Sequence, residues 1–241
     1  MTLDENLHIY RQRADFIVLP EYYNVDPLRR DTARNAARTD DFMRYNRVLS
    51  DRFEGTLIAG TTIDPDNGSF YNTCHLFHYG RLIGRYRKKH PTVNELKNNI
   101  SPGQDFFVTA IDGIRISVLI CADVLQENNF RLLRDEKPDI IFVPTTSPYR
   151  PGETVTDKFK RDRDIFVRGS RLSGAYIVKC CAVGQLWNGR LQGRSLVAAP
   201  WGILSRINPV EEDRERIMSI VLDVQELREF RRKQETIEMA N

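Results

Sequence analysis

Short apolar runs rich in Val, Ile and Leu recur along the chain, and most are too short to be helices. Residues 15–20 (DFIVLP) are apolar almost without a break, as expected of a strand covered on both faces. Residues 56–63 (TLIAGTTI) predict a second strand. Between them Phe42, Tyr45, Leu49 and Phe53 fall on one helical face, which predicts a helix over residues 40–53. Three hairpins follow from paired runs around turn residues. Residues 71–79 and 82–87 flank Gly80-Arg81, and residues 106–111 and 114–121 flank Asp112-Gly113, a dipeptide suited to a two-residue turn. Residues 195–199 and 203–206 flank Pro200-Trp201-Gly202. Further strands are predicted at residues 139–144, 175–183 and 217–223, and further helices at 128–135, 157–173 and 224–233.

Strand–helix units thus alternate with antiparallel hairpins. Two long sheets packed face to face, with helices outside, would bury this many apolar strands. No repeat and no linker interrupts the pattern, so residues 1–241 read as one domain.

Composition narrows the class. A chain of 241 residues hides roughly 70–75% of its unfolded surface. With 41% apolar and 29% charged residues it is neither disordered nor fibrous. No apolar run approaches the ~20 residues of a membrane span. The start, MTLDENLHIYRQR, lacks the apolar core of a secretion signal, so a cytoplasmic location is expected. The balance of 36 Lys+Arg against 33 Asp+Glu, net +3, does not call for a nucleic-acid partner.

Cys74, Cys121, Cys180 and Cys181 are expected to be free thiols. Adjacent Cys180 and Cys181 would point to opposite faces of a strand and read as packing. Cys74, His75 and His78 invite a zinc reading. On a strand, however, His75 faces away from the other two and no second ligand pair exists, so packing is preferred. Phosphate-loop, dinucleotide, zinc-protease and serine-hydrolase signatures are missing, and no metal or organic cofactor is expected.

Cys121 ends the apolar run ISVLI, where the chain turns polar. A thiol at the carboxyl end of a buried strand can meet backbone N–H groups facing an oxyanion; the alternative is an inert buried thiol. Glu21 occupies the same context after residues 16–20, and Lys88 and Lys89 close the 82–87 strand. A carboxylate, a cation and a thiol are the groups a cysteine hydrolase needs.

Leu19-Pro20-Glu21, Tyr86-Arg87-Lys88-Lys89-His90-Pro91 and Ile120-Cys121-Ala122-Asp123, in that order and spacing, resemble the nitrilase (carbon–nitrogen hydrolase) superfamily. Residues 139–144, 174–184, 193–202 and 220–232 are similar to its later motifs, so the likeness spans nearly the whole chain. The resemblance implies an α/β fold, a four-layer α–β–β–α sandwich, here lacking the family's first strand because the chain starts at or inside the first helix. It implies Glu21 as general base, Cys121 as nucleophile and Lys88 as the stabilising cation, with Lys89 as the fallback. Glu95 would position the substrate or the lysine, and the Ala122 N–H would serve the oxyanion. It also implies a homodimer or larger assembly; Gly169, Ser170, Ser173 and Gly174 would permit close helix approach, within the chain or between chains. Ala122 replaces the family's usual aromatic and Gln126 its usual proline, departures that bear on substrate identity.

Three readings follow. The first is a thiol amidohydrolase acting on an amide, N-carbamoyl or nitrile group of a small molecule. The second is an amide or acyl transferase on the same fold. The third is a non-catalytic scaffold or nucleic-acid binder using residues 81–90 and 158–171, stretches that lack the interleaved aromatics that stack bases. Tyr22, Tyr23 and Tyr149 are candidates for an aromatic pocket, in loops 22–26 and 145–155 that, with loop 91–102, would set specificity.

Overall fold

In the computed structural model, residues 13–240 are described. The expected chain start within a helix lies outside them. The apolar runs build two sheets. The first contains β1 (Phe16–Val18), β2 (Thr56–Ile58), β3 (Thr62–Asp66), β4 (Ser69–His78) and β5 (Arg81–Arg87). β1 pairs parallel with β2; the ten-residue β4 carries β2 and β3 along one edge and β5 along the other. The second contains β6 (Val108–Ile111), β7 (Ile114–Val118), β8 (Ile140–Thr145), β9 (Tyr176–Cys181), β12 (Leu196–Ala199) and β13 (Gly202–Arg206), in the order β13-β12-β9-β8-β7-β6. Its centre, β7-β8-β9, is parallel. A two-stranded ribbon of β10 (Gly184–Leu186) and β11 (Gly189–Leu191) stands apart.

One apolar core joins the sheets: Ile58, Leu76 and Tyr86 from the first pack with Ile116, Phe142, Ile177 and Leu196 from the second. Helix α2 (Thr39–Phe53) covers the first sheet's outer face, where Leu49 meets Leu19, Leu57 and Phe77. Over the second sheet, α4 (Glu127–Asp135) contributes Phe130 and Leu133, and α7 (Val224–Ala240) contributes Leu227. Short helices α1 (Thr32–Ala36) and α3 (Val93–Lys97) sit in the connections. The α–β–β–α layering expected from the sequence is the architecture found.

Several elements differ in detail. The 56–63 run is two strands because the chain bends at Gly60, φ +63°, where a Cβ would lie 2.4 Å from the Pro20 carbonyl. The first hairpin turns at Tyr79-Gly80, both with positive φ, one residue earlier than expected. The 157–173 helix is three pieces: α5 (Val155–Asp162), a π-helical turn at Arg163–Val167 and α6 (Arg168–Ser173). Gly169 of α6 faces Phe130 of α4 so closely that a Cβ would lie 2.6 Å from the ring; within the chain, this residue serves intramolecular packing.

The strand expected at 217–223 does not form. Burial still alternates along it, with Met218, Ile220 and Leu222 half-buried while Ile217 and Val221 face outward. Among the described residues no neighbouring strand supplies a ladder. Period-two patterning encodes which face is covered, but a strand also needs a partner.

Buried Asp139 ties the last helix to the second sheet. Its carboxylate accepts from the Arg115 N–H at 2.9 Å and from Arg228 at 2.7 and 3.1 Å, and lies 3.3 Å from Arg231. Asp139→Ala leaves buried donors without an acceptor and is expected to cost roughly 3 kcal/mol in urea unfolding. Arg228→Ala removes a partner that is 37% exposed and should cost only about 1 kcal/mol.

Candidate active site

Four strand ends of the two sheets converge on one polar cluster. After β1, the Leu19 N–H still pairs with Ile58, and Glu21 follows Pro20. Tyr22 then turns away at φ +55°, its N–H held by Thr61 Oγ1 at 2.8 Å just past the Gly60 bend. After β5, Lys88 is fixed between the Asn72 carbonyl (2.9 Å) and the Gly103 N–H (2.8 Å). After β7, the Leu119 N–H reaches Phe142, and Cys121 enters a 3₁₀ turn, Cys121–Leu125, at φ +44°. That left-handed conformation is uncommon for a residue with a side chain. Beyond β8 comes Thr146.

The side chains meet there. Lys88 Nζ donates to Glu21 Oε1 at 2.7 Å and to Glu95 Oε2 and Oε1 at 2.8 and 3.0 Å, which uses all three ammonium protons. Asn72 Nδ2 bridges the same carboxylates at 3.0 and 2.8 Å. Tyr22 OH donates to Glu95 Oε1 at 2.6 Å. The backbone N–H and the hydroxyl of Thr146 both donate to Glu21 Oε2, at 2.9 and 2.5 Å. The half-buried Cys121 Sγ lies 3.4 Å from the Thr146 carbonyl oxygen and 3.9 Å from Thr146 Oγ1. Glu21 and Lys88 are each 1% exposed, so these charges meet in a dry interior.

Of the two neighbouring lysines, Lys88 enters the cluster. Lys89 reaches the Gln104 carbonyl instead, over the Phe106 ring. Glu95 is oriented by the N-terminus of α3, where Thr92 and Glu95 form a capping box. Ala122 lies in the first turn of the 3₁₀ segment, where N–H groups have no intrahelical acceptor. Of the three tyrosines, Tyr22 is within the cluster, whereas Tyr23 and Tyr149 are exposed. Trp187 of the ribbon packs edge-on against Tyr22, with the Arg30 guanidinium 4.3 Å above it.

Charge sets the protonation pattern. Burial opposes the Lys88 ammonium, yet Glu21, Cys121 and Glu95 outweigh it and raise the lysine above its ordinary range. Burial likewise opposes the Glu95 carboxylate, yet Lys88, Tyr22 and the Thr92 N–H hold it below its usual range. For Cys121, burial and then the Glu21 charge push the thiol far up, against the smaller opposing pull of Lys88. The resting group is a thiol, and it needs a base at the moment of attack.

Asp123, fully buried, links the lysine segment to the cysteine turn. It accepts from the Ile120 N–H (2.9 Å), Tyr86 OH (2.8 Å) and the His90 N–H (2.7 Å). Sequence reasoning singled out neither Asp123, Asn72 nor Thr146. Asp123 sits inside a quoted motif and was within reach, whereas Asn72 and Thr146 carry no local signal.

The sequence pattern of the carbon-nitrogen hydrolase family matches residues 6–232. The chain belongs to that family. This hydrolase is 22% identical over 231 residues to the 2-oxoglutaramate amidase of Bacillus subtilis, covering 91% of this chain and 82% of the relative. It is 27% identical to the omega-amidase NIT2-B of Xenopus laevis over 186 residues, covering 73% and 64%. In fold it is similar to a carbon–nitrogen hydrolase from Helicobacter pylori G27, with TM-score 0.81, 17% identity and coverage of 98% and 88%. It is also similar to the amidase from Nesterenkonia sp. AN1, with TM-score 0.73, 18% identity and coverage of 85% and 79%. In that amidase the acetamide moiety of fluoroacetamide adds covalently at the active-site cysteine. Family membership makes the protein an enzyme of carbon–nitrogen bond hydrolysis. Among the described residues, no helix is long and apolar enough to cross a membrane, and no three His, Cys, Asp or Glu side chains are placed to hold a metal ion.

The depressed Glu95 fixes a sign for pH dependence. A carboxyl whose folded pKa lies below its unfolded value of ~4.3 contributes stability above that pH and loses it as pH falls through the folded value. Urea unfolding from pH 7 to 3 should therefore show a steeper loss below about pH 4.3 for the native protein than for Glu95→Gln. Equal slopes would contradict the assigned coupling to Lys88.

Proposed function

We propose that this hydrolase is a thiol amidohydrolase that cleaves a non-peptide C–N bond of a small molecule through a Cys121 thioester. The observation that carries the reading is Glu21, a buried carboxylate bonded to the Lys88 ammonium on one oxygen and to Thr146, beside Cys121, on the other. Glu21 takes up the thiol proton as sulfur attacks the substrate carbon. Lys88 and the Ala122 N–H stabilise the charge that develops on the attacked group. Glu21 returns the proton to the departing nitrogen, then activates the water that opens the thioester. Glu95 and Asn72 hold Lys88 in place. Two relatives named as amidases favour an amide over a nitrile. A transferase would differ only in the nucleophile that meets the thioester.

The nucleic-acid reading gains little support. Arg85 and Arg87 pair with Asp64 and Asp66, Lys88 is buried with two glutamates, and Lys158 is paired with Glu212.

Ammonia release should be measured from acetamide, butyramide, succinamate, N-carbamoyl amino acids and small nitriles, with and without added amines. Amine-dependent products would favour the transferase. On the amide hydrolysed best, Cys121→Ala should release no ammonia and form no covalent adduct by mass spectrometry, with the melting temperature retained. Lys88→Ala should slow acylation by about 10²–10³-fold. Full turnover by Cys121→Ala would end the reading.

A further inference from the structure

The mechanism above leaves a gap at the proton. A carboxylate offers about four lone-pair positions, two on each oxygen. In Glu21 all four are taken: Asn72 Nδ2 and Lys88 Nζ on Oε1, and the Thr146 N–H and hydroxyl on Oε2. A base saturated in this way cannot accept the thiol proton directly without first breaking a charge-assisted hydrogen bond in a site closed to water.

Of the four donors, three cannot pass a proton along. The amide NH₂ of Asn72, the ammonium of Lys88 and the peptide N–H of Thr146 donate and have no lone pair free to accept. The hydroxyl differs. Ser and Thr hydroxyls donate one proton and accept others at the same oxygen. Thr146 Oγ1 donates to Glu21 Oε2 at 2.5 Å while lying 3.9 Å from Cys121 Sγ. In the resting geometry the thiol donates to the carbonyl of the same residue at 3.4 Å. Rotation of the S–H from the Thr146 carbonyl to the Thr146 hydroxyl completes a path from sulfur to carboxylate. Neighbouring Thr145 offers no second route, since its hydroxyl is bonded to the Val143 carbonyl at 3.0 Å.

We propose that Thr146 is a further catalytic residue of this hydrolase, whose hydroxyl relays the proton between Cys121 and Glu21. The proposal rests on the thiol amidohydrolase reading above. As the S–C bond forms, the S–H bond breaks and its proton passes to Thr146 Oγ1. The proton formerly on Oγ1 passes to Glu21 Oε2, giving a carboxylic acid and an unchanged threonine. When the tetrahedral species collapses, the C–N bond breaks and the Glu21 proton goes to the departing nitrogen, which leaves as ammonia or an amine. No oxidant and no further reactant is required.

Single-turnover ammonia release tests this, using whichever of acetamide, butyramide and succinamate the native enzyme hydrolyses fastest. Thr146→Val removes the hydroxyl at nearly constant shape and keeps the peptide N–H to Glu21. It should slow acylation by about 10²-fold or more, while Thr146→Ser stays within about threefold of the native rate. A residue that merely steers Glu21 could produce the same loss, so the decisive measurement is a proton inventory in H₂O/D₂O mixtures. The native enzyme should show a bowed inventory, with two protons in flight, and Thr146→Val a linear one. A linear native inventory, or a Thr146→Val rate within about threefold of native, overturns the relay. If Thr146→Val does not fold, the native inventory alone decides. Turnover that depends on Cys121 but ignores Thr146→Val defeats the relay only, whereas turnover surviving Cys121→Ala defeats the site reading itself.

Discussion

The buried ammonium of Lys88 is the constraint around which the site is organised. An unpaired charge in a dry interior is prohibitively costly, so the fold must bring it partners or fail to bury it. It brings Glu21 from the end of β1 and Glu95 from α3, both within 3.0 Å. Each carboxylate is then steadied by further donors: Asn72 to both, Tyr22 to Glu95 and Thr146 to Glu21. Pre-positioned charge of this kind requires little rearrangement when new charge develops on a bound substrate.

Around that core, backbone geometry aims the groups. Tyr22 and Cys121 both occupy the left-handed region directly after or at a reactive position. Such conformations persist only where their surroundings over-determine them. For Tyr22 the surroundings are Thr61 and the Gly60 bend; for Cys121 they are the Asp123 carboxylate and its bonds to Ile120, Tyr86 and His90. Asp123 also joins the two sheets' contributions, since His90 follows Lys88 by two positions and Ile120 precedes Cys121 by one. A displacement of the lysine segment is therefore transmitted to the cysteine turn.

The rim is built differently. The β10–β11 ribbon bridges the loops after Glu21 and after Thr146: the Trp187 N–H pairs with the Pro27 carbonyl, and the Tyr149 N–H with the Arg190 carbonyl. Aromatic faces and arginines, rather than buried charges, line this outer part, with Arg30 over Trp187 and Arg190 over Tyr149. These loops differ from the core in having few apolar contacts to fix them.

The sequence by itself determined the layers, the approximate strands and the placement of Glu21, Lys88 and Cys121 at strand ends. Those features are local: apolar period, turn dipeptides and the abrupt change to polar residues after each run. Alternation even favoured Lys88, which keeps the inward parity of Tyr86, while Lys89 takes the outward one. Tertiary structure alone decided the rest. Asn72 and Thr146 lie 51 and 125 positions from Glu21 and look like ordinary strand and loop residues until the sheets stack. The 217–223 segment shows the converse: its period-two pattern is genuine, but no strand arose among the described residues because a ladder requires a neighbour. Hydrophobic period specifies which side of an element is buried, whereas hydrogen bonding between distant segments depends on which elements meet, and only the packed chain determines that.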